Sequence, residues 1–338
     1  MFVIGIDPHK SSHTAAVLDD TEALVGQLRV TADRWQRDRL LRFAAPFEPR
    51  TWAIEAAGGL GALLAQQLVA AGECVVDVPP TLSARVRLLD SGKTDKCDPH
   101  DARSAAIVAL RHARLRPVRP VDHSAVLRLL ANRHHDLTAS RTRTICRLHA
   151  LLCLLIPGGF GGPLSARHAG QVLRGLRPVE LVDLERRRIA LELLADVRRI
   201  DDQLEALAKR IAVAVVASGT TVTDVYGIGP WAAALIVGHT GDVTRFPSAG
   251  HYARYNATAP LEASSGPRVR HRLNPRGNRQ LNHALHVAAI TQISHDTPGR
   301  AYFLRKIDEG KTRKEALRAL KRRISDAVYR QLLADTRP

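Results

Sequence analysis

The feature that most constrains the fold is an apolar segment near the start of the chain that ends in a carboxylate. Apolar residues fall on both faces of this extended segment, at Phe2, Val3, Ile4 and Ile6. This pattern is typical of a strand that is buried on both sides of a sheet. Asp7 follows directly. Because burying an uncompensated carboxylate costs several kcal/mol, we expect Asp7 to lie at a sheet edge beside a compensating partner.

Residues 1–115 alternate between strand and helix patterns. Strands are predicted in FVIGID, HTAAVLD, ALVGQLRV, RTWAIEAA and ECVVDVPP, and helices in RWQRDRLLRFAA and GLGALLAQQLVAAG. The first three strands are joined by connections of hairpin length, and helices separate the later strands. The order β-β-β-α-β-α-β predicts an α/β domain with a mixed sheet and helices on its faces.

The rest of the chain has helical patterns. A basic helix is predicted over about 124–155, the segment PGGFGGP at 157–163 ends it, and a second long helix follows. In that second helix apolar residues recur at alternating steps of three and four, at Ala190, Leu193, Val197, Ile200, Leu204, Leu207 and Ile211. This spacing favours a coiled-coil hairpin or a dimer arm over a plain amphipathic helix. We therefore predict three domains, at 1–115, 116–220 (the helical arm) and 221–338 (mostly α-helical).

The charge balance indicates a polyanionic partner. The chain has 50 Lys and Arg residues against 33 Asp and Glu residues, which gives a net charge of +17. Nucleic acid is favoured over a membrane surface, and a basic surface without a partner is the alternative. The sequence has no run of about 18 apolar residues that would predict a membrane span. It also lacks a signal-peptide pattern, so we expect no membrane partner and a cytoplasmic protein.

Further carboxylates occur where they can join Asp7. Glu55 ends the apolar segment TWAIE, and the segment SGKTDKCDPHDARSAA carries acids three residues apart at Asp95, Asp98 and Asp101. Strands one and four lie side by side in a sheet of this order, so their ends would bring Asp7 and Glu55 together. Carboxylates at such short range repel one another unless a cation lies between them. Hard oxygen ligands in this number suit Mg²⁺ or Mn²⁺.

Each acid also has a structural alternative. Asp7 could cap the turn at DPHK, Asp98 and Asp101 could be helix N-caps, and Glu55 could pair with a surface arginine. Three acidic regions in one strongly basic chain favour the metal site.

The segments IGIDPHK, AIEAAGG and KTDKCDPHDARSAA resemble the Asp-Glu-Asp-Asp signature of DEDD transposases of the insertion-sequence one-ten family. The resemblance implies an RNase H-like (RuvC-like) catalytic domain in which Asp7 and Glu55 match the first two acids. The last pair of the family signature is usually D-x-x-D-A preceded by K-T or K-N. Asp98 and Asp101 have that pair spacing, whereas Asp95 follows the Lys-Thr, so Asp95 stays the alternative. Lys10 and Lys93 lie beside these motifs and are candidate nucleic-acid contacts.

The segment VYGIGPWAAALIVGHTGD contains the glycine pattern of a helix-hairpin-helix element at Gly227 and Gly229. Two glycines allow backbone amides to approach a phosphate without obstruction by side chains, and a helix N-terminus follows. An ordinary turn between helices is the alternative. The segment also resembles the PGIG element of the family, with Tyr226 in place of the proline.

The segment SSGPRVRHRLNPRGN resembles the second motif of the family, in which a serine before a glycine is implicated as the nucleophile. Ser265 directly precedes Gly266, and Ser264 fits a slightly longer spacing to the basic turn. A serine hydroxyl needs activation by a metal or a base. The acidic domain would therefore have to supply the metal, in a composite site that two subunits could share. The candidate phosphate-binding residues, which would otherwise be solvated surface, are Arg268, Arg270, Arg272, Arg276 and Arg279.

Taken together, the residues and the resemblance predict a DNA transposase that cuts and rejoins strands. The family implies a noncoding guide RNA, a homo-oligomer (dimer or tetramer) and a nucleoid-associated location in a prokaryote. The alternatives are a hydrolase like a Holliday-junction resolvase, with water as the nucleophile, and a non-catalytic nucleic-acid scaffold.

Overall fold

The structure is a computed structural model. It describes residues 1–91, 98–112, 114–161, 164–262, 271–272, 274–275 and 277–336, of which 90, 91, 98, 262, 271 and 272 are described by their backbone alone. The chain divides into two compact units, residues 1–121 and residues 122–338. Within the described ranges, no helix is both long and apolar enough to cross a membrane.

The first unit is an α/β domain. Its strands are β1 (Phe2–Pro8), β2 (Ser12–Leu18), β3 (Leu24–Thr31), β4 (Arg50–Glu55), β5 (Val75–Val78) and β6 (Arg116–Pro117). Its helices are α1 (Gln36–Ala44), α2 (Ala62–Ala70), α3 (Pro80–Ser91) and α4 (Asp98–Arg111). The predicted order β-β-β-α-β-α-β is confirmed for β1 to β5, and α3, α4 and β6 follow.

The strands form one mixed sheet in the order β3-β2-β1-β4-β5-β6. β1 is antiparallel to β2 and parallel to β4, and β4 is parallel to β5. β2 pairs with β3 in antiparallel fashion, as expected for strands joined by a short connection. These strand orders and directions are those of the predicted RNase H-like fold, and they confirm that strands one and four are neighbours.

Both faces of the sheet are covered by helices. The core on the face of α1 and α2 contains Ile4, Ile6, Trp52, Ile54, Leu40, Leu64 and Leu68. On the opposite face, Val3 and Ala53 share a second core with Ala105 and Ala106 of α4. Because side chains alternate along a strand, these two sets define which face each residue of β1 and β4 occupies.

Gly5 lets α4 approach β1 more closely than a side chain would allow. A Cβ atom at Gly5 would lie 2.0 Å from the carbonyl oxygen of Ala102 and 2.7 Å from the backbone nitrogen of Ala106. Real atoms never come so close, so this crossing requires glycine. The N-terminal turns of α4 are therefore held against the middle of β1.

The second unit is almost entirely helical. Its helices are α5 (His123–Leu155), α6 (Ala166–Gly175), α7 (Leu181–Ala217), α8 (Pro230–Thr240), α9 (Ala249–Tyr255), α10 (Arg279–Ser294), α11 (Pro298–Asp308) and α12 (Arg313–Ala334). A short antiparallel pair, β7 (Leu261–Glu262) and β8 (His271–Arg272), lies between α9 and α10. The predicted helical middle and helical C-terminal region are thus confirmed.

The long helices α5 and α7 pack against each other within one chain. The choice between a coiled-coil hairpin and a dimer arm stays a prediction. The buried residues of α7 include five of the seven predicted seam residues, together with Leu194 and Val215. The other two predicted residues, Leu193 and Leu204, are only partly buried. Helices α5, α7, α8, α10 and α12 contribute to one hydrophobic core. A boundary between the arm and the C-terminal domain near residue 220 stays a prediction.

We predict that Gly5→Ala destabilises the protein, because its methyl group would force α4 away from β1. Overpacking of this kind lowers the free energy of unfolding by about 1–3 kcal/mol. Urea denaturation measures the change. Gly58→Ala is the matched control, since nothing lies within 4 Å of a Cβ atom at Gly58. Equal stability of the two variants would contradict the close contact between β1 and α4.

Candidate active site

Asp7 and Glu55 lie on the same face of the sheet. In β1, Val3 and Gly5 face α4, and alternation along the strand directs Asp7 to that face as well. In β4, Ala53 packs on the same face, so Glu55 also follows it there. Both acids therefore lie at the carboxyl ends of strands and on the side of the sheet that α4 covers.

The strand register puts the two acids side by side. Ile6 of β1 is paired with Ile54 of β4 in the parallel register, and Asp7 and Glu55 are the next residues of each strand. Neighbouring strands lie about 4.8 Å apart, which is close enough for two carboxylates to share one cation. The sequence pattern and the register thus agree on the same pair of acids.

Polar residues continue the row across the sheet. Asp7 is paired with Thr14 of β2, and Thr14 is paired with Arg29 of β3, which hydrogen-bonds the hydroxyl of Ser12 at 3.2 Å. Asp7 itself is only 7% exposed. The imidazole of His9 approaches it, with Nε2 at 3.0 Å from one carboxylate oxygen. The sequence analysis did not predict this contact between His9 and Asp7.

Asp101 lies on α4, the helix that is held against β1. It is buried in the turn that precedes Ala102, the residue whose carbonyl faces Gly5. Its carboxylate forms an ion pair with Arg87 of α3. Arg87 carries no sequence signal for this role, because the pairing depends on how α3 and α4 pack. The carboxylate of Asp101 therefore has a cationic side chain beside it.

Several predicted residues lie outside the described residues. Asp95 and Lys93 belong to this group, and for Asp98 only the backbone, at the start of α4, is described. Within the described ranges, no group of three or more His, Cys, Asp and Glu side chains is arranged to hold a metal ion. Lys10 is described and is exposed in the loop between β1 and β2.

The donor set nevertheless fits a small divalent cation. Asp7 and Glu55 offer hard carboxylate oxygens from neighbouring strand ends. Mg²⁺ is commonly bound through one or two carboxylates, with water and substrate phosphate as the remaining ligands. Two adjacent carboxylates are sufficient for that mode of binding, and a third ligand from α4 would add to it.

The two predicted glycines of the second unit have different surroundings. Gly227 adopts a φ of +85°, and a Cβ atom there would lie 2.7 Å from the carbonyl oxygen of Ala288 on α10. Backbone conformation and packing therefore account for Gly227. Gly229, at the N-terminus of α8, has open space where a Cβ atom would be. The helix-hairpin-helix assignment stays a prediction.

The turn that follows the serine motif is tightly built. A Cβ atom at Gly277 would lie 2.7 Å from the backbone nitrogen of Ala257. Asn278 caps α10, because its side-chain oxygen accepts hydrogen bonds from the backbone amides of Gln280 and Leu281. Arg279 is exposed at the first position of α10. Close packing against Ala257 thus accounts for Gly277, and capping of α10 accounts for Asn278.

The serines themselves lie outside the described residues. The same holds for most of the basic residues predicted to contact phosphate: Ser264, Ser265, Arg268, Arg270 and Arg276. Arg272 lies in β8 and is described by its backbone alone.

A half-buried lysine that the sequence analysis missed lies between α10 and α12. The ammonium group of Lys321 donates a hydrogen bond to the side chain of Asn282. Burial, with a smaller effect of Arg318, lowers the pKa of Lys321 to about 8. Burial likewise lowers the pKa of His286, with smaller effects of Lys321 and His283. Basic groups therefore crowd this face of α10 and α12.

Two family models match this chain. The model of DEDD transposases of the IS110 type, described as "Transposase", matches residues 4–157. The model described as "Transposase IS116/IS110/IS902 family" matches residues 219–304. The first match contains Asp7, Glu55 and Asp101, and the second contains both candidate serines.

Curated relatives align along nearly all of the chain. The uncharacterized 44.8 kDa protein of insertion element IS116 from Streptomyces clavuligerus is 28% identical and aligns with 97% of this chain and 94% of its own. The uncharacterized 42 kDa protein of insertion element IS900 from Mycobacterium paratuberculosis is 29% identical, with the same coverage. The uncharacterized 43.6 kDa protein of IS110 from Streptomyces coelicolor is 27% identical and aligns with 86% of this chain and 84% of its own.

Among solved structures, the chain is similar to the RuvC protein of T. thermophilus in complex with a Holliday junction substrate. The similarity has a TM-score of 0.28 and 18% identity, and it covers 35% of this chain and 99% of that one.

We predict that Lys321→Met changes how stability depends on pH. Because the pKa of Lys321 lies near 8 in the folded protein and at its ordinary 10.5 when unfolded, the unfolded chain binds more protons between these values. The wild-type free energy of unfolding should therefore rise relative to the variant as pH increases through this interval. Urea denaturation at pH values on either side of the interval measures the difference.

Lys314→Met is the matched control, since Lys314 is exposed in the same helix. Its difference from the wild type should not vary with pH over this range. A Lys321→Met difference that is equally constant would contradict the partial burial of the ammonium group.

Proposed function

Since this chain belongs to the IS116/IS110/IS902 family of transposases, we propose that it cuts and rejoins DNA with a divalent-metal site built on Asp7 and Glu55. Membership of the family makes it a DNA transposase or recombinase. The single observation that best supports the metal site is the parallel register of β1 and β4, which makes Asp7 and Glu55 neighbours on one face.

We propose Mg²⁺ or Mn²⁺ as the ion, held by Asp7 and Glu55 with Asp98 and Asp101, or Asp95, as the further acids. When bound, such an ion polarises the scissile phosphate and stabilises the negative charge that develops on its oxygens. His9 and Arg87 would hold two of the acids in place in its absence, through the contacts described above. Lys10 and Lys93 would attract the DNA backbone to this edge of the sheet.

The proposed nucleophile is Ser265, with Ser264 as the alternative. Its oxygen would attack the phosphorus, a serine–phosphate bond would form, and the bond to one sugar oxygen would break. The proton of the hydroxyl would leave to a base, and the departing sugar oxygen would take up a proton. This exchange of one ester for another conserves the bond needed for rejoining, whereas hydrolysis would lose it. The family resemblance of the surrounding motif supports this assignment.

We further propose that a noncoding RNA selects the DNA sites and that the protein acts as a dimer or tetramer. In this arrangement base pairing supplies sequence specificity, and the protein contacts backbones through its basic residues. The net charge of +17 supports nucleic acid as a partner.

We predict that Asp7→Asn abolishes metal-dependent DNA cleavage, because the neutral side chain no longer holds the cation against the phosphate. DNA affinity should stay within a few fold of the wild type, since a carboxylate repels phosphate rather than attracting it. Nicking of a plasmid that carries the gene and its flanking DNA measures activity, and a filter-binding assay measures affinity. Asp20→Asn, at an exposed position of the same unit, is the matched control and should cleave normally.

Normal cleavage by Asp7→Asn together with lost affinity would contradict the metal site. A failure of wild type and variants alike to cleave in Mg²⁺ or Mn²⁺ would favour the scaffold alternative.

We predict that the protein forms a covalent adduct with DNA that survives denaturation, and that Ser265→Ala removes it. If Ser264 is the nucleophile, Ser264→Ala removes the adduct instead. Gel electrophoresis of end-labelled DNA after treatment with detergent measures the adduct. Ser294→Ala, at an exposed position of α10, is the control and should retain it. Metal-dependent nicking that tolerates both substitutions would indicate water as the nucleophile, as in the resolvase alternative.

A further inference from the structure

A cleft of about 390 Å³ opens beside the candidate active site in the first unit. It is formed by the loop between β1 and β2, the start of β2, the connection from β3 to α1, and α2 with the turn before it. His9 belongs both to this cleft and to the surroundings of Asp7, since its imidazole lies 3.0 Å from that carboxylate. The inner residues of the cleft face α1 and α2, whereas Asp7 and Glu55 face α4. The two sites meet at His9, just beyond the end of β1.

A chain of polar side chains lines the inner part of the cleft. Nε2 of His13 lies 2.9 Å from Oε1 of Gln36, and Nε2 of Gln36 donates to Oε1 of Gln67 at 2.8 Å. Because the oxygen of Gln36 accepts from His13, the hydrogen of that imidazole is on Nε2, and Nδ1 is left as an acceptor. The amide nitrogen of Gln67 is left as a donor.

His13 is unusual among these residues because one of its polar atoms has no partner. The residue is 4% exposed, and among the described residues its Nδ1 takes part in no hydrogen bond. Burial lowers the pKa of His13, so the imidazole is neutral near physiological pH and keeps Nδ1 as an acceptor. An unsatisfied buried acceptor costs free energy, which binding of a ligand that donates a hydrogen bond would recover.

The outer part of the cleft combines apolar and cationic side chains. Leu60 is 59% exposed and Leu63 is 67% exposed, although both lie beside the apolar face of α2. Lys10 and Arg34 add positive charge at the rim. The carboxylate of Asp33 also lines the cleft, but it already accepts hydrogen bonds from the backbone amide of Trp35 and from Arg39.

We propose that this cleft binds one unstacked base of the DNA strand whose phosphate lies at Asp7 and Glu55. The ligand that matches these features is planar, with apolar faces for the leucines, hydrogen-bonding groups at its edge for His13 and Gln67, and an attached phosphate for the cations. A nucleotide has all three properties, since its base is planar and apolar on both faces, carries hydrogen-bonding groups at its edge and is attached to a phosphate. That the base belongs to the DNA strand at Asp7 and Glu55 rests on the proposed function. That the cleft binds a base does not.

The test compares binding of two short oligomers to the full-length protein in the presence of EDTA. One oligomer is an oligothymidylate and the other is an abasic deoxyribose-phosphate chain of equal length and charge. Contact between the face of a base and the leucines removes apolar surface from water, so the wild type should prefer the oligothymidylate by about fivefold or more. Leu63→Ala and Gln67→Ala should reduce this preference and leave affinity for the abasic chain unchanged.

Two further variants separate the roles. Lys10→Ala should weaken binding of both oligomers equally, because a lysine at the rim contacts phosphate and not base. Leu129→Ala is the matched control, since Leu129 is a 71% exposed leucine on a helix of the second unit, and its preference should equal that of the wild type. Ultraviolet crosslinking of 4-thiothymidine in the oligomer should label peptides that contain residues 9–13 or 60–67.

An unchanged preference in both Leu63→Ala and Gln67→Ala would overturn the proposal, as would crosslinks confined to other peptides. A tighter oligouridylate complex with the same dependence on these variants would overturn the assignment to DNA. Because the assay contains no divalent metal, its outcome is independent of cleavage. If the protein cleaves DNA but shows no base preference, only the proposal of a base-binding cleft is refuted. If it shows the base preference but does not cleave DNA, only the proposed function is refuted.

Discussion

The contact between Gly5 and the backbone of α4 is the interaction on which the rest of the candidate site depends. It holds the first turns of α4 against β1, so that Asp101 lies near the strand that ends in Asp7. Any side chain at this position would separate the helix from the sheet, because the helix backbone occupies the place of a Cβ atom. A residue with no functional group thus determines where the acids of two distant segments lie.

The electrostatics of the site follow from where its acids are buried. The carboxylates lie at or beside the edge of an apolar sheet, where burial of an unpaired carboxylate costs free energy. Arg87 forms an ion pair with Asp101, and the imidazole of His9 lies beside Asp7, so each acid has a side chain of the protein next to it. When a cation and a DNA phosphate bind, contacts with them would replace these contacts within the protein. The protein would in this way keep its acids positioned before it meets DNA.

Local patterns in the sequence were sufficient for the sheet and for the pair of acids at its edge. Strand alternation and strand order determine that Asp7 and Glu55 share a face, and both can be inferred from the sequence alone. Arg87 could not be predicted, because its pairing depends on the packing of α3 and α4. The exposed leucines of the cleft, Leu60 and Leu63, were also missed, since they lie in an apolar segment that is otherwise typical of a core helix.

The proposed function requires above all that Asp7 and Glu55 together bind a divalent cation. Diffraction from crystals of the protein soaked in MnCl₂ and measured at the manganese absorption edge tests this claim directly. We expect an anomalous peak between the two carboxylates, within coordination distance of an oxygen from each. Crystals with manganese at other positions, but none between Asp7 and Glu55, would contradict the account.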